Sequence, residues 1–169
     1  MRGLLALFAD RKGAAAVEMV MVTPLLLTIM FGATELGRFF WSEHQLIKAV
    51  RDASIYASRQ PIDNFDCGTS SVSSAVTTAT SNIVRTGLVS GGTNRLPNWS
   101  NGGASIALTL SCVTSAGGTT LSGIYTANHG QVPVLTITAT LPYNSIMSGF
   151  GIDKSFTMIA TQQSAVMGT

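Results

Sequence analysis

The sequence predicts an α+β protein: a long N-terminal membrane-spanning helix continuing into a small domain with a second helix and an antiparallel sheet. Three observations predict it. The run from Met19 to Thr34, MVMVTPLLLTIMFGAT, carries no charge. Apolar residues then recur at helical spacing as far as Ala57, and beyond residue 104 their period shortens to two, the alternation of a half-buried strand. Composition agrees. At 46% hydrophobic, 11% charged and a mean hydropathy of +0.35, the 169-residue chain is no disordered protein, which needs low hydrophobicity and high charge. Its charged fraction falls well below the roughly 25% of ordinary soluble domains. A net charge of +2 is too small for an electrostatic nucleic-acid footprint, so no nucleic-acid partner is expected.

The segment from Gly13 to Thr34 holds 22 residues interrupted by one charge, Glu18. As a helix it would span roughly 33 Å, enough for the hydrocarbon core of a bilayer. Arg2, Arg11 and Lys12 precede it, so the positive-inside rule leaves the N-terminus in the cytoplasm and sends the rest outward. Phe39, Phe40 and Trp41 fall where an aromatic belt meets the outer interface. The expected division is a cytoplasmic leader at 1–13, a transmembrane helix at 14–41 and an outer α+β domain at 42–169. A cleaved secretory signal competes with this reading. Such signals have a shorter, acid-free apolar core and an A-x-A-like site, whereas this run ends in Gly32-Ala33-Thr34-Glu35.

Glu18 is the unusual residue. A charged side chain well inside a membrane helix costs on the order of 2.5–3.5 kcal/mol and marks a functional position by default. A carboxylate near the helix entrance could equally snorkel to the headgroups and meet the positive end of the helix dipole. Its surroundings decide between these. Arg11-Lys12-Gly13, then Ala14-Ala15-Ala16-Val17-Glu18, then an apolar run, resembles the prepilin processing site of type IV pilin-like proteins. That resemblance implies cleavage between Gly13 and Ala14 by a prepilin peptidase, leaving Glu18 fifth in the mature chain. The new α-amino group at Ala14 would lie about one helical turn from Glu18. On its own or a neighbouring subunit it could pair with the carboxylate and register subunits, the best-attested use of a buried ion pair.

The longer string RKGAAAVEMVMVTPLLLTIMFGATELGRFF resembles the N-terminal signature of the TadE-like family, which includes pseudopilins of the tight-adherence (Flp-type) pilus machinery. Gly13, Ala16-Val17-Glu18, Pro24-Leu25-Leu26, Gly32 and Glu35-Leu36-Gly37-Arg38 carry the likeness, over residues 11–40. Thr23, Thr28 and Thr34 depart from it, standing where aliphatic residues are expected. The resemblance implies a pilin-like plan and a pseudopilin or minor pilin-like component of pilus assembly, anchored once in the bacterial inner membrane with its domain periplasmic or extracellular. It implies the prepilin peptidase, other pilins and pseudopilins, pilus assembly proteins and membrane lipid as partners. Glu35 and Arg38 read as a membrane-boundary pair. The alternative is a single-pass membrane protein whose outer domain binds something unrelated to pili.

Beyond the span, Leu46, Val50, Ala53 and Ala57 continue a helix to about residue 59, with Lys48, Arg51, Asp52 and Arg59 opposite. Lys48 and Asp52 stand at i,i+4 spacing, and Pro61 stops the helix. A second helix is expected at 70–87, capped by Ser70 or Ser71, lined by Val72, Ala75, Val76, Ala79 and Ile83, and ended by Gly87. Residues 90–104 read as loop. Three strands follow. In 106–113, Ile106, Leu108, Leu110 and Cys112 share a face. In 132–141, Leu135, Ile137, Ala139 and Leu141 do so, and in 154–161 Phe156, Met158 and Ala160. Their threonine-rich opposite faces suit a sheet solvated on one side.

Two cysteines remain, Cys67 after the long helix and Cys112 in the first strand. In the oxidising compartment that the orientation implies, a disulfide is the leading reading, contributing about 3–4 kcal/mol through loop closure; two unrelated buried thiols are the alternative. His44 and His129 show no ligand spacing with them, so no metal and no cofactor are expected. No nucleophile elbow, phosphate loop or zincin motif occurs, and the expected protein is not an enzyme. Gly117-Gly118 and Asn128-His129-Gly130 read as turns. Asn98-Trp99-Ser100 fits a glycosylation sequon, and Trp99 is either a partner contact or tucked onto the domain.

Overall fold

The computed structural model describes residues 12–100, 102–114, 121–146 and 156–168. The leader as far as residue 11, the Gly117-Gly118 turn and residues 154–155 of the last expected strand lie outside the described residues. The class is α+β, as expected. Contacts divide the chain into two compact units, Met1–Phe39 and Phe40–Thr169.

In the first unit, helix α1 (Lys12–Ser58) starts where basic residues give way to alanines. Every described side chain from Ala15 to Thr34 is exposed; Val20 and Met21 reach 71% and 75%. Among the described residues this is the one helix long and apolar enough to cross a membrane.

In the second unit α1 becomes amphipathic. Leu46, Ala49, Val50, Ala53 and Ala57 are buried, while Lys48, Arg51 and Arg59 are exposed. Asp52 meets Arg95 Nη1 at 3.6 Å. The small residues let other chain segments approach the helix closely. Ser164 Oγ donates to Ser54 O at 3.4 Å, and the Met167 amide donates to Ser58 O at 2.9 Å, satisfying a terminal helix carbonyl.

A short antiparallel hairpin follows, β1 (Phe65–Asp66) with β2 (Ser71–Val72). It displaces the expected start of the second helix. Ser70 sits at φ 51° in the turn and Ser71 is in β2, so helix α2 (Ser74–Thr86) is capped by Ser73, whose Oγ accepts from the Val76 amide at 3.4 Å. Val76, Ala79, Thr80, Ile83 and Val84 are buried on α2, whereas Ala75, expected on that face, is exposed. Gly87 ends the helix as expected, at φ 81° with its amide donating to Ile83 O at 2.8 Å. A Cβ there would collide with the Arg95 guanidinium, so the position excludes side chains twice over.

The main sheet is antiparallel in the order β3 (Ser105–Val113), β4 (Val132–Tyr143), β5 (Phe156–Ala165). Leu110 opposes Leu135 and Ala139 opposes Ala160. Leu135, Ile137, Ala139, Leu141, Met158 and Ala160 are buried, as their alternation predicted. Two expectations for β5 need correction. It runs to Ala165 rather than 161, carried on by pairing with β4 after its apolar alternation has ended. Phe156 is 54% exposed rather than buried, because it stands at the last rung, opposite Tyr143.

The central strand contains two prolines, normally excluded there for want of an N–H. Each is accommodated by a side chain from elsewhere. The Val166 amide donates to Pro133 O at 2.9 Å, but Pro133 has no hydrogen to return; Tyr125 Oη donates to Val166 O instead, at 3.2 Å. The Pro142 carbonyl lies beyond the start of β3 and accepts from Asn98 Nδ2 at 3.1 Å. Asn98 Oδ1 in turn accepts from Asn144 Nδ2 at 2.9 Å.

Cys67, in the hairpin turn, is bridged to Cys112 near the end of β3, with Cα atoms 5.7 Å apart and a sequence separation of 45. Two stability changes follow. Cys67→Ser/Cys112→Ser should lose about 3–4 kcal/mol in denaturant unfolding of the full chain, and reductant should destabilise the parent while leaving the variant unmoved. Tyr125→Phe should lose roughly 1 kcal/mol in the same measurement, by leaving Val166 O without its donor.

Candidate functional site

The residues read as a processing and registration site lie on the first turns of α1. Among the described residues nothing stands within 4 Å of where a Cβ at Gly13 would be, and its backbone is not in the left-handed region. Ala14 is helical. Four residues on, Glu18 falls on the same helix face, about 6 Å further along the axis. It is exposed, and its helical neighbours at three and four positions are Ala14, Ala15, Met21 and Val22. None of these four is a cation.

The three threonines that depart from the expected aliphatic pattern turn their hydroxyls inward. Thr23 Oγ1 donates to Met19 O at 2.6 Å, Thr28 to Pro24 O at 2.8 Å and Thr34 to Met30 O at 2.8 Å. Each hydroxyl hydrogen is used within its own helix, so the threonines present methyl groups to the surroundings without an unmet donor. Pro24 withdraws the amide that the Val20 carbonyl would otherwise accept from. Glu35, half-buried, and exposed Arg38 stand three positions apart further along α1, at the spacing of helix neighbours.

In the second unit, polar side chains gather around the disulfide. Asp66 Oδ1 accepts from the Gly68 amide and Oδ2 from Thr69 Oγ1, each at 2.7 Å. The Thr69 hydroxyl and the Gly68 amide, in that order, hold the carboxyl below its ordinary value of 3.8, and nearby His129 adds to the effect. Asn128, buried, accepts from the Cys67 amide at 3.4 Å. His129 is exposed at φ 58° and closes a 3-10 turn at Gly123–Asn128, the turn role expected of it. The arrangement fastens the residues beside Cys67. Among the described residues no group of His, Cys, Asp and Glu could hold a metal ion. Trp99 is buried with Arg85 over its ring at 5.8 Å, so it anchors the domain rather than facing a partner. Asn98, the sequon residue, spends its amide on Pro142 and Asn144.

Residues 13–54 match the family model described as TadE-like protein. Over this segment the chain is similar to that family. The likeness read from residues 11–40 is thereby borne out, and it suggests involvement in tight-adherence pilus assembly and association with components of that machinery. The TadE-like segment opens at Gly13, takes in Glu18, Glu35 and Arg38, and ends before the hairpin, the disulfide and the sheet. No curated protein and no solved structure matches the chain.

Sequence reasoning missed Asn128, Tyr125 and the structural task of Asn98. All three act on backbone groups distant in sequence, and a proline inside an alternating strand was the one available hint that such partners were needed. The depressed Asp66 carboxyl has a measurable consequence. Its contribution to stability is fully present above the ordinary carboxylate value and lost as the pH falls through the lower folded value. In an NMR titration of the side-chain carboxyl, Asp66 should titrate below 3.8, and Thr69→Ala should move it back toward that value.

Proposed function

We propose that this protein is a non-enzymatic pseudopilin or minor pilin-like component of tight-adherence pilus assembly, made as a precursor and cut between Gly13 and Ala14 by a prepilin peptidase. Once cut, it stays in the inner membrane by α1, with residues 1–13 released on the cytoplasmic side and the domain from residue 42 in the periplasm. The observation that carries the reading is the pairing of Gly13 with Glu18 inside a TadE-like segment that opens at Gly13. Two features support it. Among the described residues neither crowding nor backbone angle demands glycine at 13, which fits recognition by another protein. A new amine at Ala14 would stand on the same helix face as Glu18, one turn away.

The mechanism is electrostatic. Cleavage converts an amide nitrogen into an α-ammonium group. In a low-dielectric setting a carboxylate and an ammonium attract strongly, while either alone is expensive. A neighbouring subunit's amine therefore selects the axial position that brings it to Glu18, and the inward-turned threonine hydroxyls leave no competing donor. Glu35 and Arg38 would mark the outer membrane boundary.

Glu18→Ala in a piliated strain should leave processing largely intact, seen as an unchanged mature mass, while surface pili fall by at least roughly tenfold, about 1.4 kcal/mol of lost assembly free energy. Normal pili in that variant would show that the carboxylate does not register subunits. Gly13→Val should instead leave the chain at precursor mass. If it too is processed normally, the assigned site is wrong.

A further inference from the structure

Among the described residues, strand β5 forms one edge of the three-stranded sheet. The donation from the Val166 amide to Pro133 O sets which of its backbone groups face β4. Directions alternate along a strand, so the even-numbered residues 158 to 166 point their N–H and C=O groups toward β4. Thr157, Ile159, Thr161, Gln163 and Ala165 then point theirs out of the sheet. All five are exposed, Ile159 at 61%. One outward carbonyl, that of Gln163, has a local donor, Gln162 Nε2 at 3.3 Å.

Natural sheets guard such an edge with lysine, proline, a bulge, an inward charge or a very short strand. β5 has none of these over its ten residues, FTMIATQQSA. Absence of charge extends to the whole sheet. β3, β4 and β5 contain no Asp, Glu, Lys, Arg or His, although the rest of the chain carries ten basic and eight acidic residues. The absence of charge favours one occupant above others. In a two-fold pairing, each residue of one copy faces the same few residues of the other, so any charge near the centre would meet its like. An uncharged edge raises no such repulsion, whereas a charged partner strand would find nothing here to answer it.

We propose that β5 pairs antiparallel with β5 of a second copy of this chain, about a two-fold axis at Thr161. Thr161 then opposes Thr161 of the second copy, Ile159 opposes Gln163 and Thr157 opposes Ala165. Each of these outward positions exchanges two main-chain hydrogen bonds with its opposite, and the two three-stranded sheets become one of six. The Gln162–Gln163 contact is released as the Gln163 carbonyl takes an amide donor. Self-pairing of this kind involves the outer domain alone and does not depend on the pilus reading or on Glu18.

Disulfide trapping in the full-length chain in lipid nanodiscs tests this. Thr161→Cys should give an intermolecular 161–161 crosslink under mild oxidation, roughly tenfold more than Thr109→Cys, an exposed threonine on β3. Thr161→Lys should abolish self-association of the domains. Mixing Thr161→Lys chains with Thr161→Glu chains should restore it, with only mixed dimers recovered. Folding of each variant is read from retention of the Cys67–Cys112 bridge. Equal crosslinking at 109 and 161, or dimers indifferent to the lysine, would overturn the proposal. So would crosslinking of residue 161 to another protein only. None of these results bears on processing at Gly13.

Discussion

A lone carboxylate in an otherwise uncharged helical stretch is the constraint around which the N-terminal unit is organised. From Gly13 to Thr34 the only ionisable side chain is Glu18. Everything else in that stretch reduces polarity. The three threonines bury their hydroxyl hydrogens in carbonyls one turn back, and the remaining side chains are aliphatic, sulfur-containing or aromatic. On the proposed reading, a helix that so consistently removes unmet donors keeps its one acid for a partner outside itself, the amine that cleavage creates.

The second unit solves a different problem, how a chain poor in charge specifies a single sheet. Register comes from apolar alternation and from fasteners at the sheet's ends. The disulfide ties the hairpin turn to the end of β3, with Asp66 and Asn128 holding the residues around Cys67. Tyr125 replaces the donor missing at Pro133, and Asn98 serves the Pro142 carbonyl. Slippage of β4 by one position would turn its buried face outward, and would also separate each proline from the side chain that compensates it. Here the prolines act as register marks.

Much of this was legible in the residues. The parity of Leu135, Ile137, Ala139 and Leu141 named the buried face of β4, and Gly87 named the end of α2, because both are local consequences of period and backbone angle. The hairpin at Phe65–Val72 was not legible, since two-residue strands have no period to read. Its presence shifted the α2 cap from Ser70 or Ser71 to Ser73. The extension of β5 through Gln162 and Gln163 escaped for a related reason: pairing with β4 holds that segment, not its own pattern. At the candidate site, the spacing of Gly13 and Glu18 was plain, while the open space around Gly13 among the described residues was not.

The central claim is that Glu18 is answered by an amine at residue 14. Zero-length carbodiimide coupling in membranes from a piliated strain, followed by mass spectrometry of the N-terminal peptides, tests it directly. The account predicts an amide joining the residue-14 nitrogen of one chain to the Glu18 carboxyl of another, lost in Glu18→Gln. Recovery of intact Gly13–Ala14 peptide bonds throughout the mature population, with Glu18 uncoupled, would contradict it.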